Sequence, residues 1–549
     1  MLETREILRK RFISRLIVVA ILAAALLFRL WGMGFGLPQK VHPDEPLLID
    51  RAIEAGAKGD FNPGFFYWPN FLIYFLYFEY VAIYYIGYLF GIYHNLREYF
   101  ISYYIDPTFF MWAGRVTATL FCLMGISCLY FIGKKIAGTA AGLAAAVLMG
   151  FNAIFIMHSR YTAPDIPAAS LMIYVWFCLL NYIDSGRTRM LYFAAFVGGV
   201  AVSTKYNAGL MIVPILITAA SKVRRGPESD VPKLSRRIGT CIFLCLLLFG
   251  LGFFLFTPYS LLDIKEFWRQ VHSQAAHQWI GHIGMEAKGS SLLAVLAYFY
   301  TPYGIPLLLL SLAGLPGLGR PIQRGLILLS FPLLYLVSIA GWVVWNERYL
   351  IYLLPIIFLA AGISLGRIAG FLAPRWKELA AALFALIITL PSIGQAVRST
   401  IIMSRPHTTV VAEKWIERNI PHGSILFIEM GGPEPYSITT VKEFKLNVYP
   451  VYAYEKPELW WNVQSNVMTP LEKLSIIQPT PGYIISTGST HDRYFDPETQ
   501  RKYPELVKPW VEYYNFIESN CKLLAEFYPD DNYFGPWIKI WRLPPGALE

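Results

Sequence analysis

The chain has 549 residues, of which 55% are hydrophobic and 15% charged, and its net charge is +10. Soluble proteins carry about 25% charged residues, whereas here apolar runs of about 18–22 residues, enough to cross about 30 Å of hydrocarbon, recur along the first four hundred positions; a soluble globular protein is excluded. The Lys and Arg residues cluster in short segments between apolar runs, as in cytoplasmic loops rather than in a nucleic-acid-binding face, and the six cysteines show neither a disulfide framework nor a zinc spacing.

The basic N-terminus "MLETREILRKRFISR" leads into an apolar run that ends in "WGMGFGLPQ" with no small-residue cleavage site. A retained signal anchor is expected. Spans are expected at residues 16–33, 114–133, 136–157, 166–183, 190–204, 206–221, 238–257, 292–313, 325–345, 349–366 and 379–397. This is a polytopic all-α bundle of about eleven spans. With the N-terminus cytoplasmic, the inside segments are each basic, among them "RKRFISR", Lys134–Lys135, "SGRTR" and "KVRRGPESDVPKLSRR". One apolar run is left over, residues 71–91, which holds Glu79 among many tyrosines and phenylalanines. Counting it as a span would reverse every later loop, so it is expected at the outer interface, where Tyr rings prefer to sit. The first outer loop is then long, residues 34–113. From about Ser404 the composition turns polar. Residues 404–549 read as a small extracytoplasmic α/β domain beside a bundle of residues 1–403. "TVVAEKWIERNI" has an amphipathic helical pattern. "PHGSILFIEM" and "PGYIISTG" read as turn then buried strand, and "GPWIKIWRL" alternates like an edge strand.

Charges at membrane depth are costly and default to function. Three outward places concentrate them. "HPDE" supplies His42, Asp44 and Glu45; the eight residues "HSRYTAPD" supply His158, Arg160 and Asp165; "VSTKYNAG" supplies Lys205. Arg348, beside Glu347, raises the same question. Asp44 and Asp165 each stand where a helix cap would stand, but capping needs only one of the two acids in "HPDE". Arg160 is able to pair with Asp165, and Lys205 to reach lipid phosphate. Together they provide two carboxylate centres and several cations on one face. Transfer of a group from a lipid-linked phosphate needs that set: a base for the acceptor's proton and fixed cations for charge growing on the leaving phosphate. His272, His277 and His282 are spaced five apart and do not stack on one helix face. The aromatic stretch "FWRQVHSQAAHQW" suits a sugar or lipid groove.

In these residues the chain resembles the C-type glycosyltransferases, in the branch of protein O-mannosyltransferases and lipid A aminoarabinose transferases. "HPDE" resembles that family's Asp-Glu motif, "YWPNFLIYFL" its Pro-containing interfacial helix, "WAGRVTATLFCLMG" its arginine-led second span and "SRYTAPDIPAASLM" its second acidic turn. "GVAVSTKYNAGLMIVP" resembles its Thr-Lys turn and "ERYLIYLLP" its Arg-Tyr signature. The resemblance spans about residues 15–400. It implies an inverting transferase with a polyprenyl-phosphate sugar donor and a glycan, lipid or protein hydroxyl as acceptor. It implies a bacterial or archaeal cytoplasmic membrane, no nucleic-acid partner and no required cofactor, a divalent metal at Asp44 and Asp165 being optional. Asp44 would be the catalytic base, Glu45 its support and Asp165 the second acid. Arg115, Lys205 and Arg348 would lie near the donor phosphate, with His42, His158 and Arg160 beside them. Aminoarabinose transferases carry a Lys before the Pro of the interfacial helix. Here Tyr67-Trp68-Pro69 stands in its place, and Arg160 or His42 is the expected substitute. Alternatives are a transporter or flippase of a lipid-linked saccharide, a pyrophosphate-dependent oligosaccharyltransferase and a non-catalytic scaffold.

Overall fold

The computed structural model describes residues 2–223, 231–280, 291–421, 424–433, 447–451, 469–471, 474 and 482–547. Helices dominate: α1 (Leu2–Leu30), α2 (Asp44–Lys58), α3 (Phe71–Leu89), α4 (Leu96–Ile105), α5 (Thr108–Ala137), α6 (Thr139–Gly150), α7 (Ala153–His158), α8 (Asp165–Ser185), α9 (Thr188–Thr204), α10 (Ile212–Val223) and α11 (Val231–Phe256) come first. Then follow α12 (Tyr259–Leu262), α13 (Ile264–Ile280), α14 (Ser291–Phe299), α15 (Gly304–Leu318), α16 (Ile322–Ala340), α17 (Leu354–Leu372) and α18 (Lys377–Met403).

Among the described residues eight helices are long and apolar enough to cross a bilayer, lying in α1, α3, α5, α8, α11, α16, α17 and α18; a ninth results if the pair α14–α15, bent by 96°, is one span. The chain is built as a multi-pass membrane protein. Three of the eleven expected spans are short helices instead. The run expected at 136–157 breaks where Asn152 accepts a hydrogen bond from the Phe155 amide and starts α7, leaving α6 with 12 residues, a rise of about 18 Å. The runs at 190–204 and 206–221 are divided at Lys205, whose backbone is extended. Conversely α3, expected at the interface, meets the length and composition of a crossing helix.

Helices approach closely where small residues meet. A Cβ on Gly199 of α9 would lie 1.9 Å from the Phe249 carbonyl of α11, and one on Gly252 of α11 2.2 Å from the Phe196 carbonyl of α9. Without water to drive association, such close backbone contact is what holds apolar helices together. The core around these helices includes fully buried Trp176, Phe331 and Tyr335.

Beyond α18, α19 (Thr408–Asn419) leads into a five-stranded sheet ordered β2-β1-β3-β5-β4. Its strands are β1 (Ile425–Glu429), β2 (Asn447–Val451), β3 (Gly482–Thr487), β4 (Lys522–Phe527) and β5 (Ile538–Leu543), with α20 (Gly488–Phe495), α21 (Pro497–Lys502) and α22 (Pro504–Asn520) between β3 and β4. β1 runs parallel to β2 and β3, and β5 antiparallel to β3 and β4. Phe427 and Ile484 pack with Trp510 and Tyr513 on one face. Leu426, Ile428 and Ile485 pack with Ala412 and Ile416 on the other. "GPWIKIWRL" forms β5, which is interior and not an edge, because β4 pairs outside it.

Gly199→Leu should overpack the α9–α11 contact at a cost of about 1–3 kcal/mol. The expected outcome is a lower melting midpoint in detergent and earlier aggregation on size exclusion, with Gly239→Leu, where a side chain meets open space, as the neutral comparison.

Candidate functional site at the end of the bundle

Two helices begin with the same four-residue device. Pro43-Asp44-Glu45-Pro46 starts α2 and Pro164-Asp165-Ile166-Pro167 starts α8. Proline fixes φ and lacks the amide hydrogen that a first helical turn leaves unused, and the acids meet the positive end of the helix dipole. The cap positions themselves are Pro43 and Pro164, and both aspartate carboxylates bond to side chains of other elements.

Asp44 accepts a 2.5 Å bond from Arg348 Nη1, with the two side chains 15% and 20% exposed. Arg348 lies in the 3-10 turn Glu347–Tyr352, started by the Asn346 side chain accepting from the Arg348 amide at 3.0 Å. Asp165 is ion-paired with Lys205 and accepts a 3.0 Å bond from the Tyr352 hydroxyl, both on Oδ1. Its Oδ2 is buried without a hydrogen-bond partner. Arg348 feels the charges of both aspartates, so the four groups form one alternating cluster. Burial alone would weaken Arg348's hold on its proton, but Asp44 and Asp165 outweigh it and raise its pKa. Burial pulls Lys205 below the ordinary lysine value despite Asp165.

Glu45 is differently placed. It is fully buried and binds Arg115 twice, at 2.9 and 2.7 Å. Glu45 Oε1 also accepts from the Thr162 amide at 2.9 Å. Arg115 gives its remaining nitrogen to the carbonyls of Met33 and Phe35, at 2.6 and 3.0 Å. Burial pushes the Glu45 carboxyl up, but the Arg115 guanidinium overrides it and holds the group below the usual range. Arg160, also fully buried, bonds Thr400 Oγ1 at 2.7 Å and the Phe28 carbonyl at 2.5 Å. Arg115 and Arg160 are thus committed to the scaffold, and Arg160 does not pair with Asp165. His42 stacks on Tyr161, centroids 4.1 Å apart, and His158 meets the same ring edge-on at 5.7 Å. Burial lowers His42 and takes His158 to about 4, and His42 Nδ1 accepts from the Asp44 amide at 3.3 Å.

Lys205 and Arg348 open into a cavity of about 230 Å³. Aromatic residues wall it, including Tyr67, Trp68, Tyr206, Trp279, Trp342 and Tyr349. Gln274 and Gln278 come from α13, the stretch whose aromatic run suits a groove. Tyr67 and Trp68 are the pair that stands where a lysine was expected. Sequence reasoning missed Tyr352, which lies four residues after Arg348 inside "ERYLIYLLP", and Trp342; no spacing rule points to either. No group of three His, Cys, Asp or Glu converges as a metal set among the described residues. Asp44 and Asp165 each already hold a cation. His282 lies outside the described residues.

The helical bundle and its small sheet domain have the fold of the C-type glycosyltransferases. Crystal structures of ArnT from Cupriavidus metallidurans, in the apo state and bound to undecaprenyl phosphate, superpose with TM-scores of 0.57 and 0.53 at 14% identity, each covering 96% of this chain and 98% of that one. The apo Archaeoglobus fulgidus oligosaccharyltransferase gives 0.48 at 11% identity over 88% of this chain and 72% of its own. Residues 101–253 match the family model described as dolichyl-phosphate-mannose-protein mannosyltransferase. A search of curated proteins finds no match.

Removing Arg115 strands a buried carboxylate, so Arg115→Met should cost about 3–5 kcal/mol, read as loss of a monodisperse folded peak. Asp44→Asn should melt close to wild type. A second expectation concerns acid. His158 binds its proton near 6.5 when unfolded and near 4 when folded. The unfolded state therefore takes up more protons between these values, and stability falls as pH drops through that window. Melting curves from pH 7 to 4 should show the decline, and His158→Phe should make it shallower, with His42 and His407, also lowered by burial, supplying the rest.

Proposed function

We propose that this protein is an inverting glycosyltransferase, moving a sugar from a polyprenyl-phosphate donor to an acceptor hydroxyl at the outer face of a bacterial or archaeal cytoplasmic membrane. Residues 1–403 form the catalytic bundle and residues 404–549 an extracytoplasmic domain, with the N-terminus cytoplasmic. The observation that carries the reading is the alternating cluster Asp44–Arg348 and Asp165–Lys205, whose two cations line an aromatic-walled cavity. Sugars pack their apolar faces on aromatic rings, and ligand sites combine such walls with a few placed polar groups. The matched family model and the ArnT fold support the same chemistry.

Before donor binds, each cation is neutralised by an aspartate. A donor phosphate settling between Arg348 and Lys205 competes for both and loosens Arg348 from Asp44. The freed Asp44 carboxylate accepts the acceptor's proton while the acceptor oxygen attacks the anomeric carbon from the face opposite the phosphate. The bond between anomeric carbon and phosphate oxygen breaks, and its electron pair leaves with the polyprenyl phosphate. That product is a stable anion, so no general acid is required. Tyr352 and Lys205 hold Asp165 in place beside the phosphate. The cations supply the electrostatic stabilisation that a metal would, and a divalent ion at Asp44 and Asp165 would have to displace Arg348 and Lys205 first.

The test is a transfer assay on purified protein, offering labelled polyprenyl-phosphate mannose, glucose, arabinose or aminoarabinose with mixed acceptors. Release of polyprenyl phosphate is expected for at least one donor. Asp44→Asn should lower kcat by at least about 100-fold, the general-base range. Lys205→Met should chiefly weaken donor binding, and chelator should leave turnover unchanged. Wild-type rates from Asp44→Asn would end the proposed mechanism, and flux of intact donor across liposomes without transfer would favour a transporter.

A further inference from the structure

The segment that delivers Asp44 is held from several sides. Arg115 fixes the carbonyls of Met33 and Phe35. Gly32 sits at φ +78 with Thr400 and Ser404 of the α18 end against it. Lys40 pairs with Asp50 at 2.6 Å and lies 4.2 Å over the Tyr103 ring. A further anchor comes from beyond α18. Gln39 Nε2 donates a 2.7 Å hydrogen bond to Glu413 Oε2, and both residues are buried, at 1% and 4% exposed. Glu413 belongs to α19, the helix that packs Ala412 and Ile416 under β1 and β3. Gln39 and Lys40 precede Val41, His42, Pro43 and Asp44, and His42 is itself stacked on Tyr161.

A carboxylate buried at a junction between two parts of a chain is costly unless its bonds are well made. Here its bond reaches a glutamine five residues from the proposed base. We infer that Glu413 is a positioning residue: through Gln39 it sets the approach of the Asp44 segment, which makes the C-terminal domain a working part of the active centre. This rests on Asp44 being the base of the proposed transfer. A reacting group displaced by about 1 Å loses on the order of 100-fold in rate, so an anchor this near the base has a large lever.

Four proteins test it: wild type, Gln39→Glu, Glu413→Ala and the double variant Gln39→Glu/Glu413→Gln. Gln39→Glu sets two carboxyls against each other, and the double variant restores one amide–carboxylate bond with the partners exchanged. Kinetics should show kcat lower by about tenfold or more in both single variants, with the donor KM unchanged, and recovery in the double variant. Hydrogen exchange of residues 37–45 in detergent gives a readout that needs no reaction. Exchange should quicken at least tenfold in the single variants and return to the wild-type rate in the double. Unchanged exchange in the single variants overturns the inference. So does a kcat loss that falls equally on KM and melting midpoint and is not rescued. If wild type transfers no sugar, the proposed function fails, and the exchange data still decide whether Glu413 orders the segment.

Discussion

A buried ion pair, Glu45 with Arg115, organises everything around it. Five hydrogen bonds converge on it: two between the side chains, two from Arg115 to the Met33 and Phe35 carbonyls, and one from the Thr162 amide to Glu45. Removing charges from water costs several kcal/mol per ion, and only good geometry with every lone pair engaged compensates. That demand fixes four separate pieces of chain at once: the loop after α1, the start of α2, the middle of the turn between α7 and α8, and α5. Asp44 and Asp165 begin helices next to pieces so fixed.

Adjacent acids in "HPDE" therefore have opposite lives. Glu45 turns inward to an unexposed arginine, while Asp44 turns to Arg348 in a part-exposed setting. A single residue step separates a structural carboxylate from one that faces a part-exposed cation. The cluster of Asp44, Arg348, Asp165 and Lys205 is electrically balanced as it stands, so a bound phosphate would shift its pairings rather than neutralise an excess of positive charge. His42 and His158, kept neutral by burial, leave that balance untouched near pH 7.

The helical bundle was legible in the sequence because apolar length is a strong signal. The lengths of individual helices were not, since a helix packed inside protein need not be as long as the bilayer is thick: α6 and α9 are mostly enclosed by neighbours. The charges of the cluster were legible as candidates because ionisable residues are rare in such a chain. Their pairings were not. Arg115 and Arg160 look as available as Arg348 in the sequence, and only three-dimensional neighbours reveal that Arg115 is taken up by Glu45 and two carbonyls and that Arg160 is turned to the Thr400 hydroxyl and the Phe28 carbonyl. In the tail, β1 and β3 were visible as apolar runs, whereas β4, "KLLAEF", carries mixed polarity and hid the fact that β5 is interior. The cavity wall is assembled from residues up to 282 positions apart, Tyr67 to Tyr349, which no local pattern encodes.

Arg115 grips the loop after α1 by main-chain oxygens, those of Met33 and Phe35, and Arg160 grips the end of α1 by the Phe28 carbonyl. Every residue type offers a carbonyl. Substitutions at these gripped positions leave the clamp intact so long as the backbone path is kept, whereas the gripping arginines have no ready replacement. Evolutionary drift is thereby channelled: loops are free to change their chemistry around a skeleton whose joints are few and side-chain specific. A fold shared at 14% identity over nearly the whole length of both chains is what such an arrangement permits.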